Sequence, residues 1–334
     1  MTTSDLQHRP PTPPHVPVCR VALVGGGANA EHDVSLASAA AVRDALAPTH
    51  EVVALTIGRD GTWSGEHGTL SFAAAVAVVA TCDVLLPAVH GPRGEDGTLA
   101  ALADLAGVAC VGSGVRAGAL GMDKWVTKLV AAAVGVAVAD GRVVRDVAEA
   151  CADPRLPAVV KPVACGSSHG VRRVDTLTEL REAVAAALEL DDRALVEEVV
   201  VGREIDVAVL RRADGTTVVS PPLEIGHAGA VFDTATKYDG TARFVVPAAL
   251  DPADAERLAA DARTVVDALG CEGVARVDFF LTADGPVLNE VNTMPGLTAH
   301  SQVPQMFAAV GMTYPELVAE LVAQARARHA TRAW

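Results

Sequence analysis

The sequence predicts an open parallel α/β layer at the N-terminus followed by an α+β region, on three observations. An apolar run ending at Val24 meets Gly25, Gly26 and Gly27 and then an alanine-rich stretch of helical periodicity, the strand, turn and helix of a parallel layer. From about residue 199 short β-like runs dominate, broken by one long amphipathic stretch, which is an α+β pattern. The 334 residues also exceed one typical core, so two or three domains sharing a cleft are expected.

In order along the chain, residues 1–17 (MTTSDLQHRPPTPPHVP) are polar and Pro-rich without an apolar segment, which predicts a disordered extension rather than a secretion signal. A strand is predicted over 19–24, a helix over 34–46, strands over 52–57 and 84–89, and a helix over 98–106 stopped by Gly107. From Gly112, helices over 124–133 and 177–190 alternate with strands over 158–161 and 194–197. Strands follow over 205–210, 217–219, 244–246, 274–281 and 287–292, with helices over 252–269 and 314–327. The expected domains are 18–112, 113–197 and 198–334. Residues 220–244 carry small and polar residues without a period, as lids and binding loops do.

Composition excludes several classes. A formal charge of −14 argues against a general affinity for nucleic acid or anionic membrane, and 3% aromatic residues leave few rings for stacking bases. The longest apolar runs fall short of the ~20 residues that span a bilayer. Six scattered cysteines with no CxxC fit structural thiols in a reducing cytoplasm.

The chemistry gathers in the C-terminal hairpin. With a three-residue loop 283–285 and Thr282 opposite Pro286, Asp278 falls opposite Glu290 and Arg276 opposite Asn292, all on one face. Asp278, Glu290 and Asn292 then offer oxygen ligands to a hard cation that keeps waters and takes phosphate oxygens, as Mg²⁺ does; a solvated acidic strand face is the plainer account. Phosphate grips are expected elsewhere. Lys161 precedes a small-residue loop containing Gly166, Ser167, Ser168 and Gly170, whose amides and hydroxyls suit a phosphate, although such a turn is more often structural. Lys124 in GMDKWVTK is a second grip, and Glu197, Glu198 and Glu204 are rim acids able to accept from adenine or ribose. Near the N-terminus, Glu31 and Ser35 sit at a helix start, where Ser35 reads as a cap. His90 lies past a strand end with no structural duty of its own. There is no G-x-x-x-x-G-K-[ST], and Gly25 to Gly27 lack the G-x-G-x-x-G spacing, which weakens a dinucleotide reading.

In order, AEHDVSL, HGPRGEDGTL, GSGV, MDK, KPVACGSSHG, GREIDVAVL, TKY, ARVDFFL and NEVNTMPGLTAHS resemble the D-alanine-D-alanine ligases of the ATP-grasp superfamily over residues 18–327. The resemblance implies a two-part ATP-grasp fold after the N-terminal domain, ATP as co-substrate, two Mg²⁺ or Mn²⁺ ions, and a cytoplasmic homodimer making D-alanyl-D-alanine for peptidoglycan through an acyl phosphate. It implies that Asp278, Glu290 and Asn292 hold metal, and that Lys124, Lys161 and the loop 166–170 hold phosphates. Glu197, Glu198, Glu204 and Lys237 would complete the nucleotide site. Glu31 would meet the first D-alanine's ammonium and His90 its carboxylate. Arg276 and the Gly296 amide would stabilise the oxyanion, Ser301 would take the second carboxylate, and Tyr238 with Ser167 would belong to the closing lid. Cys165, His169 and Gln302 depart from the family pattern. Gln302 raises a D-serine acceptor as an alternative, beside a nucleotide-binding paralogue without turnover.

Overall fold

The computed structural model describes residues 19–226 and 243–331. The first layer contains β1 (Arg20–Gly26), α1 (His32–Leu46), β2 (Glu51–Ile57), β3 (Trp63–Gly65), β4 (Gly68–Leu70), α2 (Phe72–Val79), β5 (Val84–Pro87), α3 (Thr98–Ala106) and β6 (Ala109–Cys110). Its sheet runs β4-β3-β2-β1-β5-β6, with β2, β1, β5 and β6 parallel. Neighbours diverge beside β1, and ligands of open α/β sheets bind at such a switch point. Two close approaches explain the glycines there. A Cβ on Gly25 would lie 2.5 Å from Ala39 Cβ of α1, and Gly26 turns the chain at φ +83°. The turn delivers Glu31 to the start of α1, and the chain past β5 delivers His90 to the same edge.

Two helices, α4 (Val115–Met122) and α5 (Lys124–Ala133), lead into a four-stranded antiparallel sheet, β7-β10-β8-β9. Its strands are β7 (Gly141–Val144), β8 (Ala158–Pro162), β9 (Arg172–Val174) and β10 (Ala194–Glu198), with α6 (Val147–Ala152) and α7 (Leu177–Leu188) packed on it. Asp123 caps α5 by accepting from the Val126 amide, and Thr176 with Glu179 forms a capping box on α7.

The third sheet runs β14-β13-β11-β15-β16, with β12 paired to β11. It comprises β11 (Arg203–Arg211), β12 (Thr217–Val219), β13 (Leu223–Gly226), β14 (Arg243–Val245), β15 (Val274–Thr282) and β16 (Gly285–Asn292). The helix α8 (Pro252–Leu269) packs over it, entered through Asp251 and Pro252 and closed by Gly270 at φ +72°. The short α9 (Gln302–Ala308) and the long α10 (Tyr314–Thr331) return the chain to the first layer, where Leu23, Val84, Leu210, Met294, Phe307 and Leu321 share one core. That shared core holds the first and third sheets together and fixes the loops at their facing edges.

The helices predicted over 98–106, 124–133 and 252–269 have those bounds in the structure. Part of the expected lid is not a loop, since Leu223–Gly226 forms β13 against β11 and β14. The last helix runs to Thr331, beyond the expected 327. The hairpin tip also differs. Thr282 pairs with Gly285 across a two-residue turn, and the extra residue enters as a β-bulge beside Asp278 and Phe279. The bulge restores the register the site needs, Asp278 opposite Glu290 and Arg276 opposite Asn292, as predicted with a different loop. Among the described residues no helix is long and apolar enough to cross a membrane. All six cysteines are free thiols.

Candidate active site

Two cavities meet where the three sheets converge. One, of about 310 Å³, lies between the second and third sheets and is lined by Lys124, Lys161, Glu197, Glu204, Asp278 and Glu290. The other, of about 520 Å³, faces the first layer and is lined by Glu31, His90, Ser167, Asn292, Gly296 and Ser301. Arg276 and Gln302 line both and form the wall between them.

The first cavity is cationic at its floor. Lys124 is buried, donates to the Cys165 carbonyl at 2.6 Å and lies 3.4 Å from Glu290. Lys161 pairs with Glu197 and donates to Asn289 Oδ1 at 3.1 Å. Lys128, one helical turn beyond Lys124 on α5, lies 2.9 Å from Glu197 and 3.3 Å from the Leu288 carbonyl. Burial, assisted by Lys161, pushes the Lys128 ammonium down to about 8. Burial works against the charge of Glu197 as well, but the two lysines outweigh it and hold its carboxyl below the usual range.

This corrects the reading of Glu197 as a rim acid: it is the buried counter-ion of two lysines. Glu198 is exposed and turns one oxygen to the Asp140 amide, and it lines the cavity together with Glu204 and Ser168. Gly170 lines neither cavity and closes the loop at φ +73°. Lys237 and Tyr238 lie outside the described residues.

On the hairpin, Asp278 receives Arg276 through both oxygens, Nε and Nη2 each at 2.7 Å, and the Asn292 amide at 3.0 Å. Burial opposes the guanidinium's charge, yet Asp278 and Asp206 outweigh it and raise its pKa above the usual value. Among the described residues no cluster of three or more His, Cys, Asp or Glu could hold a metal by itself. The two carboxylates and one carboxamide therefore fit a hard cation only if phosphate oxygens or water complete its shell.

In the second cavity Ser167, held at φ +51°, donates to the Glu31 carboxylate and joins the small-residue loop to the first layer. A Cβ on Gly166 would press on the Glu31 carboxylate and oblige that side chain to shift. Ser301 stands at the N-cap position of α9 without a side-chain capping bond, its hydroxyl turned back to the Thr298 amide and hydroxyl at 3.1 and 2.8 Å. Gly296 lies against it, a Cβ there meeting Ser301 Oγ at 3.0 Å.

Three expectations change. His90 was expected on a substrate carboxylate, but it is buried with Nε2 on Ser38 at 2.8 Å, Nδ1 on the Met294 carbonyl at 3.0 Å and Glu95 at 3.6 Å. Burial favours its neutral ring, but Glu95 prevails and raises the His90 pKa, while burial raises that of Glu95. The pair anchors the turn leading to Gly296. Ser35 is no cap: its hydroxyl donates to the Glu31 carbonyl and accepts from the His90 amide. Gln302 has each end of its amide engaged, Oε1 by Arg276 and Nε2 by Asp206 at 2.6 Å each, so its orientation is set from within the protein.

The sequence reading missed Lys128 and Asp206. Each left a trace, Lys128 in its four-residue spacing from Lys124 and Asp206 in sharing a strand face with Glu204.

The family model described as D-ala D-ala ligase C-terminus matches residues 135–323. A D-alanine–D-alanine ligase of Mycolicibacterium paratuberculosis is 41% identical, the match covering 92% of this chain and 97% of the relative. One of Mycolicibacterium smegmatis is 42% identical over 92% and 96%. Among solved structures, the VanG D-Ala:D-Ser ligase from Enterococcus faecalis superposes with TM-score 0.82 at 29% identity, covering 92% of this chain and 99% of that one. The D-alanine-D-alanine ligase from Coxiella burnetii superposes with TM-score 0.79 at 29% identity over 94% and 95%. With a family model matching over half of the chain and a likeness at 41% identity extending over nearly all of it, this protein belongs to the D-alanine–D-alanine ligase family of ATP-grasp enzymes.

Proposed function

We infer that the chain joins two D-alanines into D-alanyl-D-alanine at the expense of ATP, as a step of peptidoglycan precursor synthesis. The observation that carries this reading is the shared wall: Arg276 borders both a cavity with buried lysines and a cavity with an acid-serine pair. A carboxylate in the second cavity then lies across that wall from a nucleotide's phosphates in the first.

In the first step the D-alanine carboxylate attacks the γ-phosphorus and ADP departs, leaving an acyl phosphate. Glu31 would receive the substrate ammonium at the edge of the first layer, while Lys124 and Lys161 draw the phosphates toward the cavity floor. Asp278, Glu290 and Asn292 would hold the divalent cations, Mg²⁺ or Mn²⁺ and two in number, whose positive charge offsets that of the phosphate oxygens. In the second step the amine of the other D-alanine, with its carboxylate near Ser301, attacks the acyl carbon. Arg276 and the Gly296 amide would take the oxyanion, and inorganic phosphate leaves. The incoming amine must first lose a proton, because the free amino acid carries it as an ammonium at neutral pH. The Glu31-Ser167 pair would supply polar surroundings for that loss, and a share for Tyr238, outside the described residues, rests on the resemblance alone.

The site-residue roles and the domain limits 18–112, 113–197 and 198–334 belong to this proposal. So does a cytoplasmic homodimer, for which the free thiols and the family resemblance are the support. The test is phosphate release from ATP with D-alanine present and absent, and mass spectrometry of the product. Release dependent on D-alanine with one dipeptide formed per ADP is expected; turnover indifferent to D-alanine would sink the reading.

A further inference from the structure

We propose that Gln302 and Asp206 form a positioning strut for Arg276, and that Gln302 serves the reaction through that arginine rather than through the acceptor substrate. Asp206 on β11 pairs directly with Asp278 on β15, so two buried carboxylates stand side by side on neighbouring strands. Like charges in that relation repel unless something is interposed. Among the described residues Arg276 is a cation that reaches both. It gives Nε and Nη2 to Asp278, and Nε lies 3.5 Å from Asp206. Between the remaining guanidinium nitrogen and Asp206 stands the Gln302 amide, accepting from Nη1 and donating to Asp206 Oδ2, each at 2.6 Å.

The amide fits in one orientation only. Reversed, it would set its NH₂ against the guanidinium and its oxygen against the carboxylate. Held this way it gives Asp206 Oδ2 a donor, keeps the arginine square on Asp278, and leaves the guanidinium at the wall between the two cavities. If the amide is removed, Asp206 becomes a rival for Arg276 and draws it from Asp278 and from the reacting atoms. If the rival carboxylate is removed as well, the arginine has one buried acid left to face and returns to it. Loss of one partner of a buried polar pair is costly, whereas loss of both together is far less so.

The catalytic arm of this inference rests on the ligase reading; its stability arm does not. The test is a double-mutant cycle of the full chain, using Gln302→Leu, Asp206→Val and both together, read by kcat, by KM for ATP, by the D-serine to D-alanine product ratio and by melting without nucleotide. Gln302→Leu is expected to lower kcat about tenfold with KM for ATP little changed and the acceptor ratio unmoved, and to lower Tm. The double variant is expected to recover at least about fivefold in kcat and part of the Tm relative to Gln302→Leu. Gln302→Met, unbranched and similar in length, takes the place of Leu if that variant does not fold. Additive losses, or a shifted acceptor ratio in either variant, would overturn the strut. If the unsubstituted chain makes no dipeptide the ligase reading fails, and the four melting temperatures still decide the strut.

Discussion

Glu197→Gln probes the buried charge at the floor of the nucleotide cavity, because it removes the carboxylate that lies 2.9 Å from Lys128 and also against Lys161. Taking one partner from a buried ion pair costs about 3–5 kcal/mol when the remaining charge has no escape. Lys128 has one. Its ammonium is already down to about 8, so giving up its proton at pH 7 costs only about 1.4 kcal/mol, one pKa unit. With the lost attraction to Lys161 added, the nucleotide-free chain is expected to lose about 2–3 kcal/mol at pH 7. By pH 9 Lys128 is mostly neutral in the unsubstituted chain, and the loss should shrink by about 1 kcal/mol.

Both signs follow from the directions of the shifts. The folded pKa of Lys128 lies below its unfolded value of 10.5, so the penalty for burying its charge is full below about 8 and is relieved progressively as pH rises from there to 10.5. The folded pKa of Glu197 lies below 4.5, so its contribution is complete above 4.5 and is lost as pH falls through the folded value. Thermal melts of both proteins from pH 5 to 9.5 are the assay, with a Tm difference of roughly 5 °C at neutral pH. An equal difference at pH 7 and pH 9, or none at pH 7, would refute the coupled-lysine account.

Other substitutions test the remaining parts. Glu290→Gln should lower ADP formation by about 10²-fold or more, and raising the divalent cation concentration in the same assay should recover part of it. Lys161→Met should raise the Kd for ATP in calorimetry while loosening Glu197, so it should also melt earlier than the unsubstituted chain. Gly166→Ala sets a methyl group against Glu31, and KM for D-alanine should rise about tenfold in steady-state kinetics at saturating ATP. Gly296→Ala brings a carbon to 3.0 Å from Ser301 Oγ, and steady-state kinetics at saturating ATP should show the second D-alanine's KM rising more than the first's.

Much of this could be read from local rules. Asp278 and Glu290 were found by strand alternation and pairing, Lys161 by its place before a glycine-serine loop, and the long helices by periodicity with caps. What escaped was decided by partners far away in the chain. Glu197 looked like a surface acid until α5 laid Lys128 against it. His90 looked free until Met294, 204 residues later, took its ring nitrogen. Gln302 looked like a specificity residue because its partner Asp206, 96 positions earlier, reads as one polar letter in an apolar strand. Hydrogen-bond partners at such separations have no period to betray them; only the packing of three sheets brings them together.

The bulge in β16 has a consequence for how much chemistry a strand can deliver. A regular strand presents alternate residues to a cleft, so three side chains on one face occupy five positions. Here Asn289 and Glu290, adjacent in sequence, both border the nucleotide cavity, and Asn292 follows on the neighbouring substrate side. Deleting Asn289 would leave a smoother hairpin with Asp278 still facing Glu290, and Lys161 without its amide acceptor. The irregularity packs three polar groups into four letters of chain, a density of function that an ideal sheet cannot reach.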